Sequence, residues 1–183
     1  EYYPAADYAR GYALFKRKLY LDALSAFRSY LDAYPEENER RYNDAELRTA
    51  DCFYAKKEFN RAVNYYNRCI ERDLGRMDYI LFQRGMAYSL SELDEALESQ
   101  IEDLDRLLEE FPKSRFVVDA LYESARTQIE LNQLEDAKRR INILLEFSMK
   151  SFEIIISILL YGFPWISFSL IISNQDHLLF NFK

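Results

Sequence analysis

The chain has 183 residues, 49% of them hydrophobic and 30% charged, with a net charge of −7; that is enough apolar sequence for a packed core and too much for a disordered chain. Four glycines and four prolines are too few for the turns of a sheet-rich fold, so an all-α fold is expected. The acidic balance argues against a nucleic-acid interface, because basic pairs such as Arg40-Arg41 and Arg139-Arg140 lie among acids and read as solvated helix faces.

In chain order, four helical hairpins are predicted, at about 5–35, 43–74, 78–112 and 115–147. The first has a helix centred on Gly11 and a second helix opening at Tyr20-Leu21-Asp22-Ala23, with Ala23, Phe27, Tyr30 and Leu31 on one face. It stops at "LDAYP", where Pro35 ends the helix, and "EENERRYN" (36–43) is the longest polar connection. The second hairpin is centred on Ala50 and reopens at Phe59-Asn60-Arg61-Ala62, with Ala62, Tyr66, Cys69 and Ile70 sharing a face. The third has Gly85, then Leu93-Asp94-Glu95-Ala96, then Pro112. The fourth has Ala125, then Leu134-Glu135-Asp136-Ala137, with Ala137, Ile141, Leu144 and Leu145 on one face.

Two marks recur in phase. A bulky apolar residue precedes Ala23, Ala62, Ala96 and Ala137 by three places, at spacings of 39, 34 and 41. A small residue, Gly11, Ala50, Gly85 or Ala125, lies 11 or 12 places before each of those alanines. Small residues at matched points let two helix axes approach closely. These marks, with the aromatics Phe27 and Tyr66 four places after the alanine and Pro35 twelve after Ala23, resemble the tetratricopeptide repeat, whose period is about 34. The resemblance covers about residues 5–147. It implies a right-handed superhelical solenoid of about four helix-turn-helix units, acting as a non-enzymatic scaffold that holds a protein or peptide partner on its concave face. The sequence departs from the family pattern at Asp7, Arg10, Glu46 and Arg84, where apolar residues are usual, and at Gln100 in the third unit. The handover "EEFPKSRFVVDALYESA" (109–125) is similar to the bacterial cell-envelope type, which gives an alternative: a structural segment of a larger envelope assembly factor. The sequence fixes no compartment beyond that pointer to the envelope or periplasm.

In such repeats the first helix of each unit lines the concave side. Offsets of −6, −3, +1 and +4 from each small residue trace one stripe. It carries Ala5, Tyr8, Tyr12 and Phe15; Asp44, Leu47, Asp51 and Tyr54; Tyr79, Phe82, Met86 and Ser89; and Asp119, Tyr122, Arg126 and Ile129. Tyr and Arg combine contact area with a polar end, and Met adapts to varied surfaces. Tyr12, Tyr54, Met86 and Arg126 are the candidate partner-binding residues. Tyr8, Phe82 and Tyr122 are expected to pack between helices instead. The Lys and Asn clamp with which some members of the family hold a carboxylate tail is replaced here by Tyr, Leu, Phe, Asp and Met.

Nothing points to catalysis, a metal or a cofactor. His177 is the sole histidine and lies outside the repeats, which removes Ser-His and Cys-His pairs from them, and the isolated glycines 11, 75, 85 and 162 make no phosphate loop. Cys52 and Cys69 lack metal-ligand spacing and sit among aromatics, so buried thiols are expected.

Residues 148–183 differ from all that precedes them. They contain no Ala and no Arg, against 16 of each in 1–147, where about four of each would be expected from that upstream rate. Three readings follow. "LLEFSMKS" (144–151) echoes "LEEFPKS" (108–114) but loses its proline, as a reading-frame slip near 148 would produce. Phe152–Ile172 has one charge and the length of a membrane span, which would bring a membrane into play only if the tail is a genuine anchor. Third, the segment serves as a terminal cap, although it is apolar nearly all round. The first reading is preferred, and with a start at Glu1 it makes the chain a fragment of a longer array.

Overall fold

The computed structural model describes residues 4–33, 39–73 and 75–161. Pro35, Pro164, Trp165 and His177 lie outside them, so the proline stop after the first hairpin and most of the tail readings do too. The described residues form eight α-helices: α1 (Pro4–Lys16), α2 (Tyr20–Ala33), α3 (Glu39–Ala55), α4 (Phe59–Glu71), α5 (Met77–Tyr88), α6 (Ala96–Glu110), α7 (Val117–Glu130) and α8 (Leu134–Tyr161). They divide into two compact units, with the division inside α6 between Gln100 and Ile101. In the first unit each helix packs on the next, α1 on α2, α2 on α3, α3 on α4 and α4 on α5; in the second, α7 packs on α8.

Three of the hairpin turns share one geometry. Lys18, Lys57 and Asn132, each five residues before the marked alanine, have φ of 60°, 62° and 59°. In each, the next amide closes onto a carbonyl five residues back: Leu19 N–H to Leu14 O, Glu58 N–H to Phe53 O, and Gln133 N–H to Gln128 O. Such a left-handed residue satisfies the orphan carbonyls at the end of the first helix. The second helix then starts with Ala23, Ala62 and Ala137 donating to Leu19, Glu58 and Gln133.

The signature residues do what their size predicts. Ala23, Ala50 and Ala62 are fully buried, Ala125 and Ala137 nearly so, and Gly11 and Gly85 are buried as well. A Cβ built on Gly11 would stand 2.7 Å from the Phe27 ring, so α1 and α2 approach as closely as a missing side chain permits. The first unit's core joins Phe27, Tyr30, Leu47, Phe53, Tyr66 and Ile80 in one cluster. The family departures find polar partners: Arg84 donates to Asn67 at 2.7 Å, and Glu46, almost fully buried, lies 3.6 Å from Arg72.

Three boundaries and one buried position stand out against expectation. α3 begins at Glu39, so much of "EENERRYN" is helix and not connection. Ala96 opens α6 and is only half-buried, because Glu95 takes the left-handed turn conformation (φ 54°) directly before it and residues 89–95 stay outside a helix. Gln100 takes a fully buried position in α6 in place of an apolar residue. α8 runs through Phe147 to Tyr161; α6 ends at Glu110, before Pro112, whereas "SMK" at 148–150 has nothing to break a helix. Among the described residues no helix is long and apolar enough to cross a membrane.

Candidate functional site

Within the first unit, α1, α3 and α5 place their stripe residues side by side. The centre is α3, where Asp44, Arg48 and Asp51 fall at i, i+4 and i+7 on one face. Asp44 accepts a hydrogen bond from the Tyr8 hydroxyl at 2.8 Å and another from Tyr12, both on α1. Arg48 sits between the carboxylates, ion-paired with Asp51 and 3.7 Å from Asp44. Asp51 Oδ1 accepts from Tyr66 on α4 at 2.8 Å and from Tyr79 on α5 at 2.9 Å. The Arg48 and Arg76 guanidiniums lie 5.8 and 5.0 Å from the Tyr79 ring centre. One polar chain therefore ties four helices together.

Burial sets the charge states in this chain. It raises the Tyr8 and Tyr12 hydroxyls above the ordinary range, and Asp44 beside them pushes the same way, so both remain protonated donors. Burial also raises Asp51, opposed by Arg48 and by the hydrogen bonds from Tyr66 and Tyr79. For Arg48 burial acts to lower its proton affinity, but Asp51, Tyr12, Tyr79 and Asp44 outweigh it and hold the guanidinium charged. A carboxylate with three partners and tyrosines that keep their protons offer no nucleophile and no poised base. The thiols are equally inert: burial pushes Cys52 up to about 12 and Cys69 higher still. Both are free and buried. Among the described residues no group of three His, Cys, Asp or Glu could hold a metal ion.

Beside this chain a cleft of about 580 Å³ opens, lined by Arg40, Asn43, Asp44, Leu47, Asp73, Gly75 and Arg76. Its floor includes the Asn43 side-chain oxygen, which is buried and has no hydrogen-bond partner among the described residues. The arrangement is suited to recognition: fixed donors and acceptors, aromatic edges and a polar cleft.

The four candidate contact residues fall into different settings. Tyr12 joins Tyr8, Asp44 and the Phe27 ring (5.6 Å between centres), so half of it is structural. Tyr54 is half-buried, with its ring 5.5 Å from Phe59. Met86 is half-buried on α5, its carbonyl accepting from Ser89. Arg126 is exposed on α7 in the second unit, paired with Glu123 at 2.7 Å. Tyr122, expected to pack, is 59% exposed. Arg48, the centre of the network, falls at offset −2 and so off the predicted stripe; the acid-base-acid spacing of Asp44, Arg48 and Asp51 was the signal for it.

Residues 44–73, which hold the centre of this network, match the tetratricopeptide repeat. In fold, the chain is similar to MamA (residues 41 to end) from Desulfovibrio magneticus RS-1, with 18% identity over 80% of this chain and 76% of that one and a TM-score of 0.67. A MamA RS-1 ArsTM double mutant aligns equally well, with 18% identity, 81% and 76% coverage and a TM-score of 0.68. The apo form of RapI aligns over 94% of this chain and 66% of its own, at 16% identity and a TM-score of 0.64. At these identities the likeness is one of fold. No curated protein matches the sequence.

Proposed function

We propose that this chain, which matches the tetratricopeptide repeat at 44–73 and is similar in fold to MamA, is a non-enzymatic scaffold binding a protein or peptide partner on the face formed by the first helix of each hairpin. That face is the concave side in arrays of this repeat. The observation that carries the reading is the Tyr8–Tyr12–Asp44–Arg48–Asp51–Tyr79 chain, which holds α1, α3 and α5 in one arrangement and fixes the side chains around the cleft. A surface organised before binding loses little conformational entropy when a partner arrives. Tyr12, Tyr54 and Met86 on the first unit, and Arg126 on the second, are the contacts proposed. The paired Arg126 stays available, because an exposed ion pair contributes only about 0–1 kcal/mol.

The test is partner capture from the cells of origin with the full chain, comparing it with the Tyr54→Ala and Arg126→Ala variant. Recovery at least tenfold lower, with unchanged helicity, supports the assignment. Equal recovery of the same partner removes these residues from the interface.

A further inference from the structure

The two units repeat one hairpin design, and comparing equivalent positions singles out one surface. In the first unit, offsets −3 and +1 of a hairpin's first helix meet the first helix of the next hairpin. Tyr8 and Tyr12 bond Asp44 across that junction, and Asp51 receives Tyr79 in the same way. Offsets +4 and +5 after the alanine of the second helix face the same junction: Tyr66 joins the Asp51 node and Asn67 accepts from Arg84 of α5. At these junctions Phe27, Leu47 and Tyr66 are 0–1% exposed and Asp51 is 6% exposed.

The corresponding positions of α7 and α8 are Tyr122, Arg126, Ile141 and Asn142, with Leu145 one turn further. All five are exposed, Tyr122 by 59%, Ile141 by 40% and Leu145 by 56%. Their neighbours on the same two helices extend the apolar area: Ile129 is 52% and Leu134 57% exposed. The equivalents of that last pair, Phe15 with Tyr20 and Tyr54 with Phe59, stack on each other 5.5 Å apart in the first unit. The α7–α8 hairpin thus carries the side chains of a helix-receiving face with nothing described lying on it.

We propose that this face docks an amphipathic helix of a partner protein, which occupies the place that α3 occupies on α1 and α2. The established junction dictates its chemistry. Asp44 of α3 is received by two hydroxyls, Tyr8 and Tyr12. On α7 the same two places hold Tyr122 and Arg126, a hydroxyl and a cation. The incoming helix therefore presents a carboxylate to Tyr122 and Arg126, and an apolar stripe to Ile141 and Leu145. A guanidinium in place of a hydroxyl makes the preference for an acid stronger than at the first junction. Arg126, itself exposed, is paired with Glu123 among the described residues, so redirecting it costs little. This surface shares Arg126 with the first-helix face proposed above but not Tyr54, Ile141 or Leu145, so variants at those three positions tell the two readings apart.

The probe is a helix-stapled, fluorescein-labelled peptide of residues 39–55 carrying Cys52→Ser, which reproduces α3, titrated against the full chain by fluorescence anisotropy. Stapling removes the helix-nucleation cost that leaves a peptide of this length mostly unfolded. Saturable binding is expected, weakened more than tenfold by Ile141→Asp in the protein and by Asp44→Lys in the peptide. Arg126→Glu in the protein should recover most of the affinity for the Asp44→Lys peptide. Tyr54→Ala should leave this binding unchanged, which separates failure here from failure of the first-helix face. Absence of saturable binding, or affinity indifferent to Ile141→Asp, overturns the proposal. So does light scattering that shows a dimer dissociated by Ile141→Asp, which would assign the face to a second copy. Cross-links from a lysine placed at 122 into residues 162–183 would assign it to the chain's own tail and overturn the proposal equally.

Discussion

Gly11→Ala sets two effects of opposite sign against each other. In the interior of a helix, alanine is favoured over glycine by up to about 1 kcal/mol. Gly11, however, lies where α1 meets α2. A Cβ there stands 2.7 Å from both Cδ1 and Cε1 of Phe27 and 3.0 Å from its Cζ, and carbon atoms settle at about 3.5–4.0 Å. The ring would need to retreat by roughly 1 Å to restore that spacing. It has no room: Phe27 is fully buried, with Tyr12 edge-on at 5.6 Å and Tyr8 at 6.4 Å. Overpacking a well-filled site costs about 1–3 kcal/mol, so the net expectation is a loss of up to about 2 kcal/mol once a helix gain of about 1 kcal/mol is subtracted. For a chain of this size that is a fall in Tm of up to about 8 °C, read by far-UV circular dichroism on heating and in urea. The cause is separable from any general harm to α1. In a Phe27→Leu background the ring is gone, and Gly11→Ala should become neutral or stabilising, a coupling expected of residues in contact. Stability of Gly11→Ala equal to or above that of the unaltered chain would refute the close approach of α1 and α2.

Further outcomes follow from the polar network and the buried groups. Tyr66→Phe should cost about 1.5–3 kcal/mol, the range for a hydrogen bond to a charged group, since Tyr66 is fully buried and donates to Asp51 at 2.8 Å. Tyr79→Phe, half-buried on the same oxygen, should cost less, and a double-mutant cycle by urea melts should show the two to be non-additive; simple additivity would mean they do not share Asp51. Burial raises Glu46 above its ordinary value, with Arg72 opposing. A carboxyl raised in the folded state favours folding most when protonated, and that contribution is lost as pH rises through its folded pKa. Glu46→Gln should therefore raise Tm at neutral pH and flatten its fall between the ordinary carboxylate range and neutrality; a lower Tm at pH 7 would show that the Arg72 pair outweighs burial. Cys52 and Cys69 should resist a thiol reagent in the folded chain and react together on unfolding, because both are buried with raised pKa values; a fast native phase would place one of them at the surface.

Much of this molecule can be read from spacing alone, and the reason is visible at particular residues. Gly11, Ala23, Ala50 and Ala62 are buried because two helices cross there, and only small side chains suit such crossings, so the residue type reports the geometry. The turns at Lys18, Lys57 and Asn132 have one backbone geometry, but two of them use Lys, which has no preference for a left-handed turn, so their likeness is hard to read in the sequence. Ala96 opens α6 as its spacing suggests, but it is only half-buried, because Glu95 beside it takes the turn conformation and carries no turn signal of its own. The helix continuing past Phe147 was missed because the repeat pattern assigns an end where the proline that enforces one is absent. In the candidate site the stripe offsets found Tyr8, Tyr12, Asp44, Asp51 and Tyr79 but passed over Arg48, whose guanidinium reaches sideways to both aspartates. Long side chains bridge faces that helical periodicity treats as distinct. The exposure of Tyr122 could not be read either, since it depends on what lies against α7 and not on the residues of α7.

The central claim is that the first-helix face holds a protein partner. The most direct measurement installs a photo-cross-linking amino acid at Tyr54, at Met86 and, as a control on a second helix, at Leu21, which is 66% exposed, in the full chain expressed in its cells of origin. Irradiation and mass spectrometry should return one and the same partner from Tyr54 and Met86 and none of it from Leu21. Equal yields from all three positions, or capture at Leu21 alone, would contradict the account.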